Sequence, residues 1–140
     1  MNMDTQYCTF KVGDNFFGIP VLEVQEVIKP MIHTKVPLAK PQIKGLINLR
    51  GQIVTMLGLR ELFEFDMRNA DQSMNVVIKS DDSLIALVVD EINDVIDVPE
   101  NSFERAPATL DSSLKPFVKG IHKLSGQLLI VLDLKKIISF

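Results

Sequence analysis

The sequence lacks the features that mark secreted and membrane-spanning proteins. Its 140 residues include one cysteine, Cys8, which cannot form a disulfide within the chain. The longest apolar runs, 84–89 and 128–132, are far shorter than the ~20 residues that cross a bilayer. Residues 1–8 show neither the basic nor the apolar region of a signal peptide. We therefore expect a soluble protein of a reducing compartment, the cytoplasm.

Groups that could support catalysis are also scarce. No pattern of a serine hydrolase, zinc protease, phosphate-binding loop or dinucleotide-binding fold occurs. The two histidines, His33 and His122, have no partner at metal-ligand spacing. Cys8 lies in an alternating strand pattern, so we interpret it as a packing residue rather than a nucleophile. The sequence predicts no enzymatic activity, no metal and no cofactor.

Nucleic-acid binding is disfavoured by a shortage of aromatic residues where positive charge collects. The net charge is −3, yet residues 27–60 contain no acidic side chain and six basic ones. Between Phe17 and Phe63 there is no aromatic residue on which bases could stack. Charge with apolar surface but without rings favours an electrostatically guided protein contact. A small nucleic-acid-binding barrel remains the weaker alternative.

Branched aliphatic residues are plentiful and point to strands. Ile, Val and Leu number 14, 14 and 16, whereas Ala numbers only 5. Since β-branched residues favour strands and Ala favours helices, a helix bundle is disfavoured.

The chain contains an internal repeat. Residues 43–63 align without gaps to 118–138 with seven identities, and 10–28 align to 78–96 with six. The repeat places His122 opposite Ile47, which favours a structural role for this histidine. We expect two similar halves, at about 6–65 and 74–140, joined by a polar linker.

The residue pattern of each half predicts mainly strands. Turn residues separate strand patterns at 13–15, at Arg50-Gly51 and at the matching Ser125-Gly126, and the two matching tips are expected to form the same turn. Short helical patterns follow at 59–65 and 134–140. Because small closed barrels avoid open edges, we predict two small five-stranded barrels side by side, in an all-β fold with short helices.

Several segments of the sequence resemble those of a known protein family. The segments KGLINLRG (44–51), LGLRELF (57–63), LVVDEINDVI (87–96) and VKGIHKLSGQLLIVLDL (118–134) are similar to those of CheW, the coupling protein of bacterial chemotaxis. The helical-looking LEVQEVI (22–28) adds to the resemblance, which covers essentially the whole chain as one CheW-like domain. It implies two SH3-like barrels.

The resemblance also implies partners. CheW-like proteins are non-catalytic adaptors that bind the regulatory domain of the histidine kinase CheA and the cytoplasmic tips of methyl-accepting chemotaxis receptors, so the chain would be recruited to receptor arrays at the inner membrane face. Carried over by position, the kinase contact would include Val24, Glu26, Lys44, Gly45 and Leu46. The receptor contact would lie in a groove between the barrels and include Val27, Arg50, Val88 and Val95.

Some alternatives stay open at this stage. Thr55 and Gly58 stand where relatives usually have Pro and Asp, which could loosen the corner before residues 59–65. Arg50 could contact a partner or form an internal salt bridge, for instance with Glu26. The pathway served could control swimming or another output.

Overall fold

A computed structural model describes residues 3–66 and 73–139, which form strands with few and short helices. The strands are β1 (Asp4–Val12), β2 (Asn15–Pro20), β3 (Val24–Ile28), β4 (Ile43–Leu49), β5 (Gln52–Gly58), β6 (Met74–Ser80), β7 (Ser83–Val89), β8 (Glu91–Pro99), β9 (Phe103–Glu104), β10 (Val118–Leu124) and β11 (Gln127–Leu132). The α-helices are α1 (Leu59–Leu62) and α2 (Leu134–Ile137), and single 3₁₀ turns cover Val21–Glu23, Glu100–Ser102 and Lys115–Phe117. In this described part, no helix is long and apolar enough to span a membrane.

The strands form two compact units. Unit 1 comprises Met1–Leu22 and Asn93–Phe140, and unit 2 comprises Glu23–Ile92. The sheet of unit 1 has the order β8-β1-β2-β11-β10-β9, and that of unit 2 has the order β3-β6-β7-β5-β4. The predicted fold class, with two small strand-built SH3-like units, is confirmed; the sheet of unit 2 has the predicted five strands and that of unit 1 has six.

The units do not follow the predicted subdomains 6–65 and 74–140, because the halves exchange their first hairpins. The β1–β2 hairpin of the first half joins unit 1 through parallel pairing of β2 with β11. The β6–β7 hairpin of the second half joins unit 2 through parallel pairing of β5 with β7. The repeat therefore describes the duplicated sequence, whereas each compact unit takes strands from both copies.

Each unit has its own apolar core. In unit 2 the core cluster includes Ile47, Val54, Met56 and Val77, which come from β4, β5 and β6. In unit 1 a cluster joins residues of β1, β8 and β11, namely Tyr7, Val98, Leu129 and Val131. The alternation that predicted strands is the one that fills these cores.

Two local predictions change in the structure. LEVQEVI is not a helix: a 3₁₀ turn at Val21–Glu23 leads into strand β3, which pairs with β6. The helical patterns at 59–65 and 134–140 give only α1 and α2, of four residues each. Gly58 keeps an extended backbone, so the corner before α1 resembles the one at Asp133 before α2.

A segment without regular structure connects the two edge strands of unit 2. We call residues 29–42 the strap; Pro30, Pro37 and Pro41 explain why it forms no long helix. Thr34 and Leu46 exchange backbone hydrogen bonds of 2.9 and 2.8 Å, and the Gly58 N–H donates to Gln42 O at 2.7 Å. The strap is therefore fastened to β4 and to the end of β5.

Candidate protein-binding surfaces

The residues of the predicted kinase contact lie on the two edge strands of the sheet in unit 2. Val24 and Glu26 are on β3, and Lys44, Gly45 and Leu46 are on β4. Strand pairing places Val24 and Leu46 in one cross-strand row, and Glu26 and Gly45 in the next. The structure thus puts four of the five residues in matching rows on the two edges, and Lys44 lies at the register shift between Ile43 and Gly45.

Two members of this set have intramolecular partners. Lys44 Nζ lies 2.9 Å from Glu61 Oε2 of α1, and both side chains are largely buried. Gly45 is buried beneath the strap with φ of 153°, and a Cβ there would lie 2.7 Å from Thr34 O. Gly45 is needed for this close approach.

Arg50 lies at the tip of the β4–β5 hairpin and contacts Glu26. Its guanidinium forms an ion pair with the Glu26 carboxylate, so the internal salt bridge predicted as an alternative is present. The Arg50 side chain is nonetheless 69% exposed, so it remains accessible to a partner. Because Glu26 is on one edge strand and Arg50 follows the other, this pair links the two edges of the sheet of unit 2.

The prediction that the two matching tips form the same turn is wrong. Arg50 and Gly51 both have positive φ, 51° and 86°, as in a type I′ turn. In the matching tip only Gly126 has positive φ, as in a type II turn, and Ser125 does not. The Asn48 side chain accepts the Gly51 N–H at 2.9 Å, whereas Lys123 at the matching position has no such acceptor.

The residues of the predicted receptor contact differ in exposure. Val27 on β3 is 38% exposed and Val95 on β8 is 56% exposed. They occupy the same position of the repeat, each on an edge strand of its unit. Val88 on β7 is half-buried and packs against the core of unit 2. Val95 is therefore a surface residue and not a core residue.

Sequence reasoning missed a buried chain of hydrogen bonds in unit 1. Tyr7 OH lies 3.1 Å from His122 Nε2, His122 Nδ1 lies 2.7 Å from Ser102 Oγ, and this hydroxyl donates to Pro99 O at 2.9 Å. A neutral His122 protonated at Nδ1 satisfies all three bonds. Burial lowers the pKa of His122, and hydrogen bonding at Ser102 and the charge of Glu104 oppose this. In the sequence, the alignment of His122 with the apolar residue Ile47 was the signal that His122 would be buried.

A second missed feature is an Arg–Asp pair in unit 2. Arg60 Nε and Nη2 lie 2.8 and 2.5 Å from the two carboxylate oxygens of Asp90, and Arg60 also donates to Asp66 O. This forked geometry joins α1 to the residue between β7 and β8. Arg60 belongs to the motif LGLRELF and Asp90 to LVVDEINDVI, but the spacing of the two residues in the sequence did not indicate that they are in contact.

The groups considered for chemistry are dispersed. Among residues 3–66 and 73–139, no three His, Cys, Asp or Glu side chains lie close enough to hold a metal ion. Cys8 is buried, and burial raises the pKa of its thiol, which disfavours the reactive thiolate. His33 is exposed on the strap, whereas His122 is buried in unit 1.

Comparison with known proteins identifies the family. The family model described as a CheW-like domain matches residues 6–140. The chemotaxis protein CheW of Bacillus subtilis is 32% identical over 127 residues, covering 89% of this chain and 80% of the relative. The CheW of Treponema pallidum is 27% identical over 139 residues, covering 96% and 82%. The crystal structure of the scaffolding protein TtCheW from Thermoanaerobacter tengcongensis superposes with a TM-score of 0.84 at 30% identity, covering 94% of this chain and 90% of that one. The chain belongs to the CheW-like family.

Proposed function

We propose that this protein is a non-catalytic adaptor that couples methyl-accepting chemotaxis receptors to a CheA-type histidine kinase. The observation that carries the proposal is the whole-length match to relatives named chemotaxis protein CheW and to a scaffolding protein of known structure. Both units present apolar residues beside charges on their edge strands, which suits a binding protein. Its place of action would be the cytoplasmic face of the receptor array.

The proposed kinase contact is a surface formed by residues of β3 and β4, the two edge strands of unit 2. It comprises Val24, Glu26, Lys44, Gly45 and Leu46. Val24 and Leu46 supply apolar area, and Gly45 acts by letting the strap approach β4. Since Lys44 is held by Glu61, we assign it a smaller part of the binding energy than the apolar pair.

The proposed receptor contact comprises Val27, Arg50, Val88 and Val95. Val27 and Val95 supply exposed apolar side chains, each on an edge strand of its own unit, and an exposed apolar side chain is what a docking helix contacts. Arg50 supplies a guanidinium that can form forked bonds with a carboxylate of the partner. Val88 supports this set from a half-buried position.

A pair of valine variants tests both contacts at once. Val24→Asp should weaken binding of the isolated kinase regulatory domain at least ~ten-fold, equivalent to about 1.4 kcal/mol, and leave receptor binding intact. Val95→Asp should show the reverse, so each variant controls for the other. Calorimetry measures both affinities, and circular dichroism verifies the fold. Unchanged kinase affinity of a folded Val24→Asp protein would place that contact elsewhere, and equal losses in both variants would indicate damage to the fold.

The same adaptor role in another chemosensory pathway is the second candidate. It is favoured by similarity to Protein PilI of Pseudomonas aeruginosa, which is 28% identical over 113 residues, covering 80% of this chain and 64% of PilI. Affinity purification from the native cell, followed by mass spectrometry, identifies which kinase and receptors are retained. Recovery of a kinase from a non-swimming pathway would favour this second candidate.

A further inference from the structure

The strap of unit 2 covers a cleft that shares only Lys44 with the proposed kinase contact and only Val88 with the proposed receptor contact. The cleft has a volume of about 370 Å³, within the range of pockets that hold small ligands or peptide side chains. One wall is the strap, represented by Met31 and Val36, and the other wall is the sheet, represented by Met56 and Val88. The backbone bonds at Thr34 and Gln42 fix the strap, so the cleft is preformed.

Positive charge without intramolecular compensation collects on this strap. Among the six basic residues of 27–60, Lys44, Arg50 and Arg60 pair with Glu61, Glu26 and Asp90, respectively. The other three, Lys29, Lys35 and Lys40, all lie on the strap and have no ion-pair partner within the described ranges. Lys35 also lines the cleft. A ligand with carboxylates would supply the missing charges.

The buried wall of the cleft holds a polar atom without a partner. The Asn75 side chain is 1% exposed and lines the cleft. Its Nδ2 donates to Lys29 O at 3.4 Å, whereas no donor in the described part of the chain reaches its Oδ1. Buried amide oxygens are normally hydrogen-bonded. A peptide in the cleft carries backbone N–H groups, which are the donors that this oxygen lacks.

The strap also carries two exposed apolar side chains outside the cleft lining. Ile32 is 97% exposed, and Leu38 is fully exposed. Leu38 also has φ of 60°, a conformation in which Gly or Asn is favoured over Leu. Leu38 thus combines full exposure with a strained backbone conformation at a turn of the strap.

We propose that the strap and its cleft bind a short acidic peptide segment of another protein, with one bulky aliphatic or aromatic side chain inserted between Val36 and Met56. The carboxylates of the segment contact Lys35 and the neighbouring strap lysines, and a backbone N–H bonds Asn75 Oδ1. This site shares Lys44 and Val88 with the proposed kinase and receptor contacts, but its remaining residues and its ligand are different.

Binding of a defined probe to the full chain tests the proposal. The probe is the acetylated, amidated peptide Glu-Asp-Phe-Glu-Asp, followed by fluorescence anisotropy of a labelled copy and by ¹⁵N–¹H spectra. We expect saturable binding, shifts of the Asn75 side-chain amide, and at least ~ten-fold weaker binding by Lys35→Glu. The matched control is Lys79→Glu, an equal charge change at the far end of β6 from Asn75, which should stay within about two-fold of wild type. A control peptide with Ser in place of Phe should bind at least ~ten-fold more weakly.

Three outcomes overturn the proposal. The first is absence of saturable binding at millimolar peptide. The second is equal weakening by Lys35→Glu and Lys79→Glu with no preference for the Phe peptide, which would indicate general charge attraction. The third is tighter binding of oligothymidylate than of the peptide, dependent on Lys35, which would assign the strap to nucleic acid. Retained kinase binding by Lys35→Glu separates each outcome from failure of the adaptor proposal.

Discussion

His122 shows how one buried titratable side chain can make the stability of unit 1 depend on pH. Its two ring nitrogens are bonded to Tyr7 and Ser102, and a neutral ring protonated at Nδ1 satisfies both bonds. Because burial lowers its pKa in the folded state, the unfolded chain binds this proton more readily. The stability that His122 contributes is therefore present above its unfolded pKa and is lost as the pH falls.

We predict that the free energy of unfolding decreases as the pH is lowered from 7.5 to 5, beginning near pH ~6.5. The contribution of His122 to this slope cannot exceed about 1.4 kcal/mol per pH unit. His122→Gln should be less stable at neutral pH but show a flatter dependence, whereas His33→Gln, at an exposed position, should keep the wild-type dependence. Urea unfolding at each pH measures this, and an unchanged slope in His122→Gln would contradict it.

Arg50 carries the second prediction at this scale. Arg50→Asn gives the Asn-Gly sequence that a type I′ turn favours, so the turn should be kept. The loss of an exposed ion pair with Glu26 should cost no more than about 1 kcal/mol. Receptor-stimulated kinase activity in a reconstituted assay should nevertheless fall sharply. If the variant couples normally, Arg50 makes no essential contact, and if it unfolds, Arg50 is structural.

At the scale of elements, the hairpins were predictable, whereas the pairing of one hairpin with another was not. Periodicity located the hairpins and the start of both helices because burial of one face leaves a pattern in the sequence. LEVQEVI was misread because its apolar spacing fits both periods; pairing with β6 decides for a strand. The ion pairs of Lys44 and Arg60 join residues far apart in sequence, and such contacts leave no local pattern. The type I′ turn depended on Asn48, a side chain outside the two-residue turn itself.

Gly45 gives a prediction for the strap. Gly45→Ala should destabilise the protein by about 3 kcal/mol, because φ of 153° is restricted to glycine and the new Cβ would meet Thr34 O. Gly51→Ala is the matched control: φ is 86°, no atom lies within 4 Å of the added Cβ, and the expected cost is about 1 kcal/mol. Denaturant unfolding compares the two, and hydrogen exchange should show faster exchange of the Leu46 N–H in Gly45→Ala. Equal losses of unfolding free energy in the two variants would mean that the strap moves aside for the new Cβ at no energetic cost.

At the scale of the whole molecule, the exchange of hairpins between halves determines which pieces can fold. The family resemblance and the internal repeat together predicted two small SH3-like units. The repeat alone also suggested, wrongly, that each unit would be formed by one continuous half of the chain on either side of the linker. The parallel pairings β2–β11 and β5–β7 are long-range contacts, and no residue pattern announces them. Each unit is thus completed by strands from the other half of the sequence.

We predict that fragments 1–66 and 73–140 each fail to fold alone and regain the native spectrum when mixed. Alone, each lacks the parallel partner strands that complete its sheets. Far-ultraviolet circular dichroism and size-exclusion chromatography measure the single and mixed fragments. Fragment 23–92 is the matched comparison, since it contains every strand of unit 2 and should fold by itself. Independent folding of 1–66 would contradict the exchange.

The order of strands also has a consequence for synthesis on the ribosome. The chain emerges from its N-terminus, so every strand of unit 2 is available once Ile92 has left the exit tunnel. The β1–β2 hairpin, with its buried Phe10, Phe17 and Ile19, must wait for β11 before its open edge is paired. The first hairpin to be translated is therefore among the last to be completed. During that interval it is the part of the nascent chain that most needs a chaperone.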